Sequence, residues 1–157
     1  ASILLAREEL KFKARISSDC SPLNNLVSSI ISRDIKFMRD PTRGGLATTL
    51  NEISLACGYN IAIEEAAIPM KKPVKALCEI LGFDPLYMAN EGKLIAIVSK
   101  DYAGSVLSKM KRHSLGKDAR IIGVVEKEKD KRVYLKTQSG GSRILDMITG
   151  EQFPRIC

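Results

Sequence analysis

Hydrophobic residues recur along the chain with two spacings, one typical of helices and one typical of strands. Apolar residues at every third or fourth position predict helices over residues 3–10, 23–33, 46–57, 73–81 and 101–113. Shorter β-rich runs predict strands over residues 35–38, 60–64, 93–99, 120–126 and 132–137. Helices and strands alternate, and then two strands follow one another. This order predicts an α/β fold, or an α+β sandwich, in which helices pack on a mixed β-sheet.

Length and composition indicate one soluble globular domain. The 157 residues suit a single domain, with residues 1–146 as its body and residues 147–157 as a flexible tail. A content of 45% hydrophobic and 27% charged residues excludes a mostly disordered or collagen-like chain. No apolar run approaches the roughly 18 residues that a membrane span needs. No secretory signal opens the chain, so we expect no membrane partner.

Positive charge is concentrated in the last third of the chain. The net charge is +7, and residues 100–157 contribute +6 of it. A basic surface can bind nucleic acid or an acidic partner. However, acidic and basic side chains alternate over residues 126–132, and aromatic residues for base stacking are scarce. We therefore interpret this region as a solvated face and expect no nucleic-acid partner.

The four cysteines do not form a zinc or redox motif. Cys20, Cys57 and Cys78 are far apart in sequence, so no metal site is predicted. We expect these three to be small buried or half-buried thiols in the reducing cytoplasm. Cys157 differs because it is the last residue, where a thiol on a mobile tail could reach a distant site. An incidental chain ending explains it equally well.

Residues 39–45 form the densest candidate site. A strand end followed by a helix start exposes backbone N–H groups that favour anions. Arg39 and Arg43 add positive charge, Asp40 adds a carboxylate, and Gly44 and Gly45 allow close approach of a ligand. The alternative is a turn whose glycines and proline serve only its geometry.

Glu91 is a second candidate. It lies in an Asn-Glu-Gly segment just before the strand predicted over residues 93–99. A partly desolvated carboxylate at a strand edge could act as a base. The alternative is a simple turn in which Gly92 supplies an unusual dihedral angle.

These signals together resemble a known family. Residues 38–46 read MRDPTRGGL and residues 50–53 read LNEI, which is similar to the C-terminal domain of the PurM and selenophosphate-synthetase superfamily. Residues 84–94, DPLYMANEGKL, and the terminal PRIC narrow the resemblance to the HypE family of hydrogenase maturation proteins. The resemblance covers essentially the whole chain, and PRIC is its most specific part.

The resemblance implies a function for a longer protein. HypE proteins carry an N-terminal ATP-binding domain that is absent from this sequence and would bind most of the ATP and its Mg²⁺. A HypF-like carbamoyltransferase would load a carbamoyl group onto the Cys157 thiol. ATP-dependent dehydration would convert it to a thiocyanate. The cyano group would then pass to iron on a HypC–HypD complex, and the protein would be a cytoplasmic homodimer.

The resemblance also suggests residue roles. Cys157 would carry the reacting group, and Glu91 would be the base or orient the carbamoyl group. Arg39, Arg43 and the amides of Gly44 and Gly45 would contact phosphate or stabilise developing charge. Asp40 would do the same or would pair with Arg43, and Thr42 would cap the helix. Two alternatives stay open: a thiol-carrier module that docks partners without catalysis, and a PurM-type synthetase domain acting on a soluble small molecule.

Overall fold

The computed structural model describes residue 18 and residues 20–147, which form helices and strands in the predicted alternation. The helices are α1 (Asn24–Ile30), α2 (Gly45–Cys57), α3 (Lys72–Leu81) and α4 (Ala103–Arg112). The strands are β1 (Ile35–Arg39), β2 (Ile61–Glu64), β3 (Ile95–Val98), β4 (Gly123–Val125), β5 (Val133–Lys136) and β6 (Ser142–Ile144). The helix predicted over residues 3–10 and residues 148–157 of the predicted tail lie outside the described residues.

The strands form two sheets. Strands β1 and β3 pair in an antiparallel ribbon. The larger sheet has the order β4-β2-β5-β6, in which β2 and β5 are parallel and the outer pairs are antiparallel. The predicted mixed sheet and the fold class are therefore confirmed. Although β4 and β5 follow one another in sequence, β2 lies between them. All three apolar residues of β2 are buried, which suits an inner strand.

The main core lies between helix α2 and the four-stranded sheet. Helix α2 contributes Ala47, Leu50 and Ile53 from one face. The sheet and its neighbouring segments contribute the other buried members, which are Ile61, Ile63, Leu86, Ile95, Val133, Leu135 and Leu145. Helix α1 packs against α4 in a separate contact. Helix α2 packs both on the sheet and on the segment Pro85–Tyr87, which precedes the loop that contains Glu91.

The last described residues are anchored to this core. Leu145 is fully buried, and its N–H donates to the Val133 carbonyl at 2.8 Å. The buried Asn51 amide donates to the Leu145 carbonyl at 2.8 Å and to the Ala47 carbonyl at 2.9 Å. The Tyr87 hydroxyl donates to the carbonyl of Asp146 at 3.0 Å. The point from which residues 148–157 continue is thus held by both packing and hydrogen bonds.

The cysteine expectation is confirmed only for Cys78. That thiol is buried, and burial raises its pKa, with smaller contributions from neighbouring charges. Cys20 and Cys57 are exposed, so the expectation of burial was wrong for both. Cys57 is the last residue of α2 and lies beyond its buried face, and Cys20 lies in the segment before α1.

None of the helices within the described residues has both the length and the apolar character that a membrane span needs.

Candidate functional site

Strand pairing brings two sequence segments together at one end of the β1–β3 ribbon. Arg39, the last residue of β1, lies opposite Ile95, the first residue of β3. The residues after β1 and the residues before β3 therefore meet at the same end of the ribbon. The Asn90 N–H donates to the Pro41 carbonyl at 2.9 Å and ties the two loops together.

An open surface pocket of about 340 Å³ lies at this end of the ribbon. It is lined by Ser21, Leu23, Met38, Arg39, Asp40, Glu91, Lys93 and Leu94. Three candidates from the sequence, namely Arg39, Asp40 and Glu91, thus share one pocket. Two carboxylates and two cationic side chains face the same space, so the pocket suits a polar or charged group more than an apolar one.

The structure places Glu91 in the loop before β3 and exposes its side chain. Strand β3 begins at Ile95, two residues later than predicted, so Glu91 is neither at a strand edge nor partly desolvated in this chain. The Cys20 thiol donates to Glu91 Oε2 at 3.6 Å. A thiol is a weak donor, so this contact leaves the carboxylate free to accept a stronger hydrogen bond or a proton. The sequence offered no signal for the Cys20 contact, because 71 residues separate the two side chains.

The three charged residues of the turn have different surroundings. Arg39 forms an ion pair with Glu52 of α2, a residue to which the sequence suggested no role. In the part of the chain that the structure describes, no ion pair joins Asp40 to Arg43, so the suggested pairing is not observed. Arg43 is exposed and is not among the residues that line the pocket.

Gly44 and Gly45 shape the turn. Both have positive φ angles, +74° and +63°, which L side chains rarely adopt. A Cβ on Gly45 would stand 2.5 Å from the Met88 carbonyl oxygen, so only glycine permits this approach. The Gly45 N–H donates to the Thr42 carbonyl at 3.2 Å. Gly44, not Thr42, is the N-cap of α2, and the predicted Thr42 cap was wrong. Neither glycine lines the pocket, and their contact with phosphate stays a prediction.

Cys157 lies outside the described residues. Among the residues that the structure describes, no group of three or more His, Cys, Asp or Glu side chains could hold a metal ion.

Comparison with known proteins identifies the class of domain. Residues 3–136 match the family model described as "AIR synthase related protein, C-terminal domain". The match spans most of the chain, so the chain belongs to this family.

Relatives of the chain within that class include HypE proteins. The chain is 48% identical to the carbamoyl dehydratase HypE of Cupriavidus necator, over 99% of this chain and 45% of the relative. It is 43% identical to the HypE of Escherichia coli K12, over 100% of this chain and 46% of the relative. The resemblance to the HypE family is thus confirmed. The chain spans about half the length of the relatives it matches.

Solved HypE structures have the same fold. A crystal structure of the hydrogenase maturation protein HypE superposes with a TM-score of 0.91 at 42% identity, covering 99% of this chain and 51% of that one. A HypE structure in complex with ATP gives 0.90 at 41% identity, with 99% and 48% covered. HypE in a HypE–HypF complex gives 0.87 at 47% identity, with 93% and 48% covered.

Proposed function

We propose that this chain is the C-terminal domain of an ATP-dependent carbamoyl dehydratase that supplies cyanide ligands during hydrogenase maturation. The proposal combines one observation with one similarity. The observation is the pocket that places Glu91 beside Arg39 and Asp40. The similarity is to proteins named carbamoyl dehydratase, over 99% of this chain. We also propose the division into a body, residues 1–146, and a tail, residues 147–157.

The proposed reaction begins when the Cys157 sulfur accepts a carbamoyl group. ATP then phosphorylates the carbamoyl oxygen, because an amide oxygen is otherwise a very poor leaving group. The oxygen leaves with the phosphate, both protons leave the nitrogen, and the C≡N bond forms. The products are a thiocyanate on Cys157, ADP and phosphate. The protein must supply a base for the nitrogen protons and positive charge near the departing phosphate.

The pocket contains groups of both kinds. Glu91 is the proposed base, since its carboxylate is exposed and bonded within the described residues only by the Cys20 thiol. Arg39 supplies a guanidinium at the same pocket. Exposure of Glu91 in this chain means that desolvation during the reaction would come from the arriving tail or from another domain.

The tail is long enough to reach this pocket. Cys157 follows Met147 by ten residues, which span up to about 35 Å when extended. The base of the tail is bonded to Tyr87 through the Asp146 carbonyl. Tyr87 and Glu91 are four residues apart in one loop, so their Cα atoms are separated by at most about 14 Å. The available chain length therefore exceeds the distance that the thiol must cover.

The charged residues of the turn fit ATP in part. The guanidinium groups of Arg39 and Arg43 suit the phosphate oxygens. The Asp40 carboxylate would repel phosphate directly, and it suits the Mg²⁺ that accompanies ATP. We propose that these residues, with the Gly44 amide, complete a nucleotide site whose larger part belongs to an N-terminal domain. The Gly45 N–H already donates to the Thr42 carbonyl, so Gly45 contributes the shape of the turn.

The proposed function requires partner proteins. A HypF-like carbamoyltransferase would load Cys157, and a HypC–HypD complex would receive the cyano group. We propose a homodimer that works in the cytoplasm, where thiols stay reduced. Cys20, Cys57 and Cys78 are free thiols, which agrees with a reducing compartment.

Mass spectrometry of the full-length protein tests the proposal. The protein is incubated with the carbamoyl donor and an active HypF-like partner, and then with ATP. We expect Cys157 to gain the mass of a carbamoyl group and then to lose one water. Glu91→Gln should keep the first change and lose the second. Glu79→Gln is a matched control, because Glu79 lies in an exposed pair with Lys75 on α3; it should behave as wild type.

Other outcomes distinguish the alternatives. If Glu91→Gln dehydrates normally while removal of the tail abolishes partner docking, the chain is a thiol-carrier module. If removal of Cys157 leaves ATP-dependent synthesis of a soluble product intact, the PurM-type synthetase function is supported. Absence of any carbamoyl mass on Cys157 with an active partner overturns the proposed function.

A further inference from the structure

Glu52 is linked to the pocket through its ion pair with one lining residue. It lies in the middle of α2 and does not line the pocket, but its carboxylate forms an ion pair with the Arg39 guanidinium. Arg39 is at the end of β1 and does line the pocket. The orientation of the Arg39 side chain therefore depends on a helix that packs on the core.

Arg39 has competing partners inside the pocket. The carboxylates of Asp40 and Glu91 line the same pocket, while Lys93 is the second cation there. An arginine side chain is long and forms bidentate pairs readily with carboxylates. Without Glu52, Arg39 could pair with Glu91 and occupy the carboxylate that must accept a proton.

We propose that Glu52 is a positioning residue that holds Arg39 at the pocket and away from Glu91. This inference rests on the proposed function and adds a residue that does not contact the reacting group. Through Glu52, Arg39 keeps its charge available to the departing phosphate, and Glu91 keeps its lone pairs available as a base.

Exposure of the pair indicates an effect on activity more than on folding. The side chains of Arg39 and Glu52 are 42% and 37% exposed. Exposed ion pairs contribute little to stability, because water screens them and both side chains lose entropy. A small displacement of a charged group in a reaction site, by contrast, can change a rate strongly.

A double-mutant cycle in the full-length protein tests this inference. Protein carbamoylated at Cys157 is mixed with ATP, and the single-turnover dehydration rate is measured against ATP concentration. Glu52→Ala should lower the maximal rate roughly 10-fold and raise the half-saturating ATP concentration by a smaller factor, because most of the proposed nucleotide site belongs to an N-terminal domain. In an Arg39→Ala background, Glu52→Ala should cause no further loss. Glu52→Gln should retain part of the rate, because its amide oxygen still accepts a hydrogen bond from Arg39.

The controls separate positioning from folding. Glu64→Ala removes a comparably exposed partner of Lys136, 3.3 Å away across β2 and β5, and should leave the rate unchanged. If Glu52→Ala does not fold, the nearly isosteric Glu52→Gln provides the comparison. A wild-type rate in Glu52→Ala, or an equal loss with and without Arg39, overturns the inference. Wild-type protein that takes up a carbamoyl group but never loses water overturns the proposed function instead.

Discussion

Replacement of Gly45 by alanine should damage both the fold and the site, because one Cβ would disturb the loop that carries Glu91. Gly45 has a φ of +63°, and an added Cβ would stand 2.5 Å from the Met88 carbonyl oxygen and 2.6 Å from that of Leu86. An ordinary contact begins near 3.4 Å. The loop would therefore have to retreat by about 0.9 Å, which is the difference between these two distances.

The folding free energy lost in Gly45→Ala has two components, and the same substitution at a second glycine separates them. An L residue in the left-handed region costs roughly 1–2 kcal/mol. Overpacking against a fixed neighbour adds about 1–3 kcal/mol. Gly58 has a φ of +79°, but nothing lies within 4 Å of the Cβ that would be added there. Gly58→Ala should therefore show the first component alone, and Gly45→Ala should show both, about 2–5 kcal/mol in total.

Two measurements on the full-length protein check this difference. Hydrogen exchange of the α2 amides reports the opening free energy of this domain within the longer chain. The single-turnover dehydration rate reports the geometry of the proposed reaction site. A shift of nearly 1 Å in the loop should lower this rate by roughly 10- to 100-fold, in Gly45→Ala only. Equal opening free energies for the two variants, or a normal dehydration rate in Gly45→Ala, would refute the reasoning.

Three further predictions concern buried groups. Asn51→Leu removes two hydrogen bonds and leaves the Leu145 carbonyl without its amide donor; we expect a loss of about 1–3 kcal/mol in chemical denaturation. Thr48→Val removes a buried hydroxyl that has no hydrogen-bond partner within the described residues, so denaturation should show unchanged or slightly higher stability. Burial raises the pKa of Cys78, so the folded state keeps this proton to a higher pH than the unfolded state. The unfolding free energy should fall as the pH rises through the ordinary thiol range, and Cys78→Ala should reduce that fall.

Hydrophobic periodicity predicted most elements because the core is built from them. The stripe on α2 became the centre of the core, and Gly58 ends that helix as predicted. Strand β6 was not predicted, since it has three residues and all are exposed. The placement of β2 between β4 and β5 was also not predicted. That order depends on long-range pairing, which local patterns do not encode.

The candidate site was predicted by residue type but not by contact. Arg39, Asp40 and Glu91 share a pocket, although Glu91 is more than 50 positions from the other two in sequence. Antiparallel pairing of β1 with β3 creates this proximity. The Arg39–Glu52 pair and the Cys20–Glu91 contact join residues on different elements. No local motif distinguishes such residues from ordinary surface side chains.

Helix α2 connects three parts of the proposed reaction site. Its first residue, Gly45, supports the loop that carries Glu91, and its middle holds Arg39 through Glu52. Between them, Asn51 binds the Leu145 carbonyl at the base of the tail. These three contacts lie within eight residues, or about 10 Å along the helix axis. A rigid helix therefore keeps the Glu91 loop, Arg39 and the Leu145 carbonyl at fixed separations. It follows that loosening α2 should lower the single-turnover dehydration rate through all three contacts together.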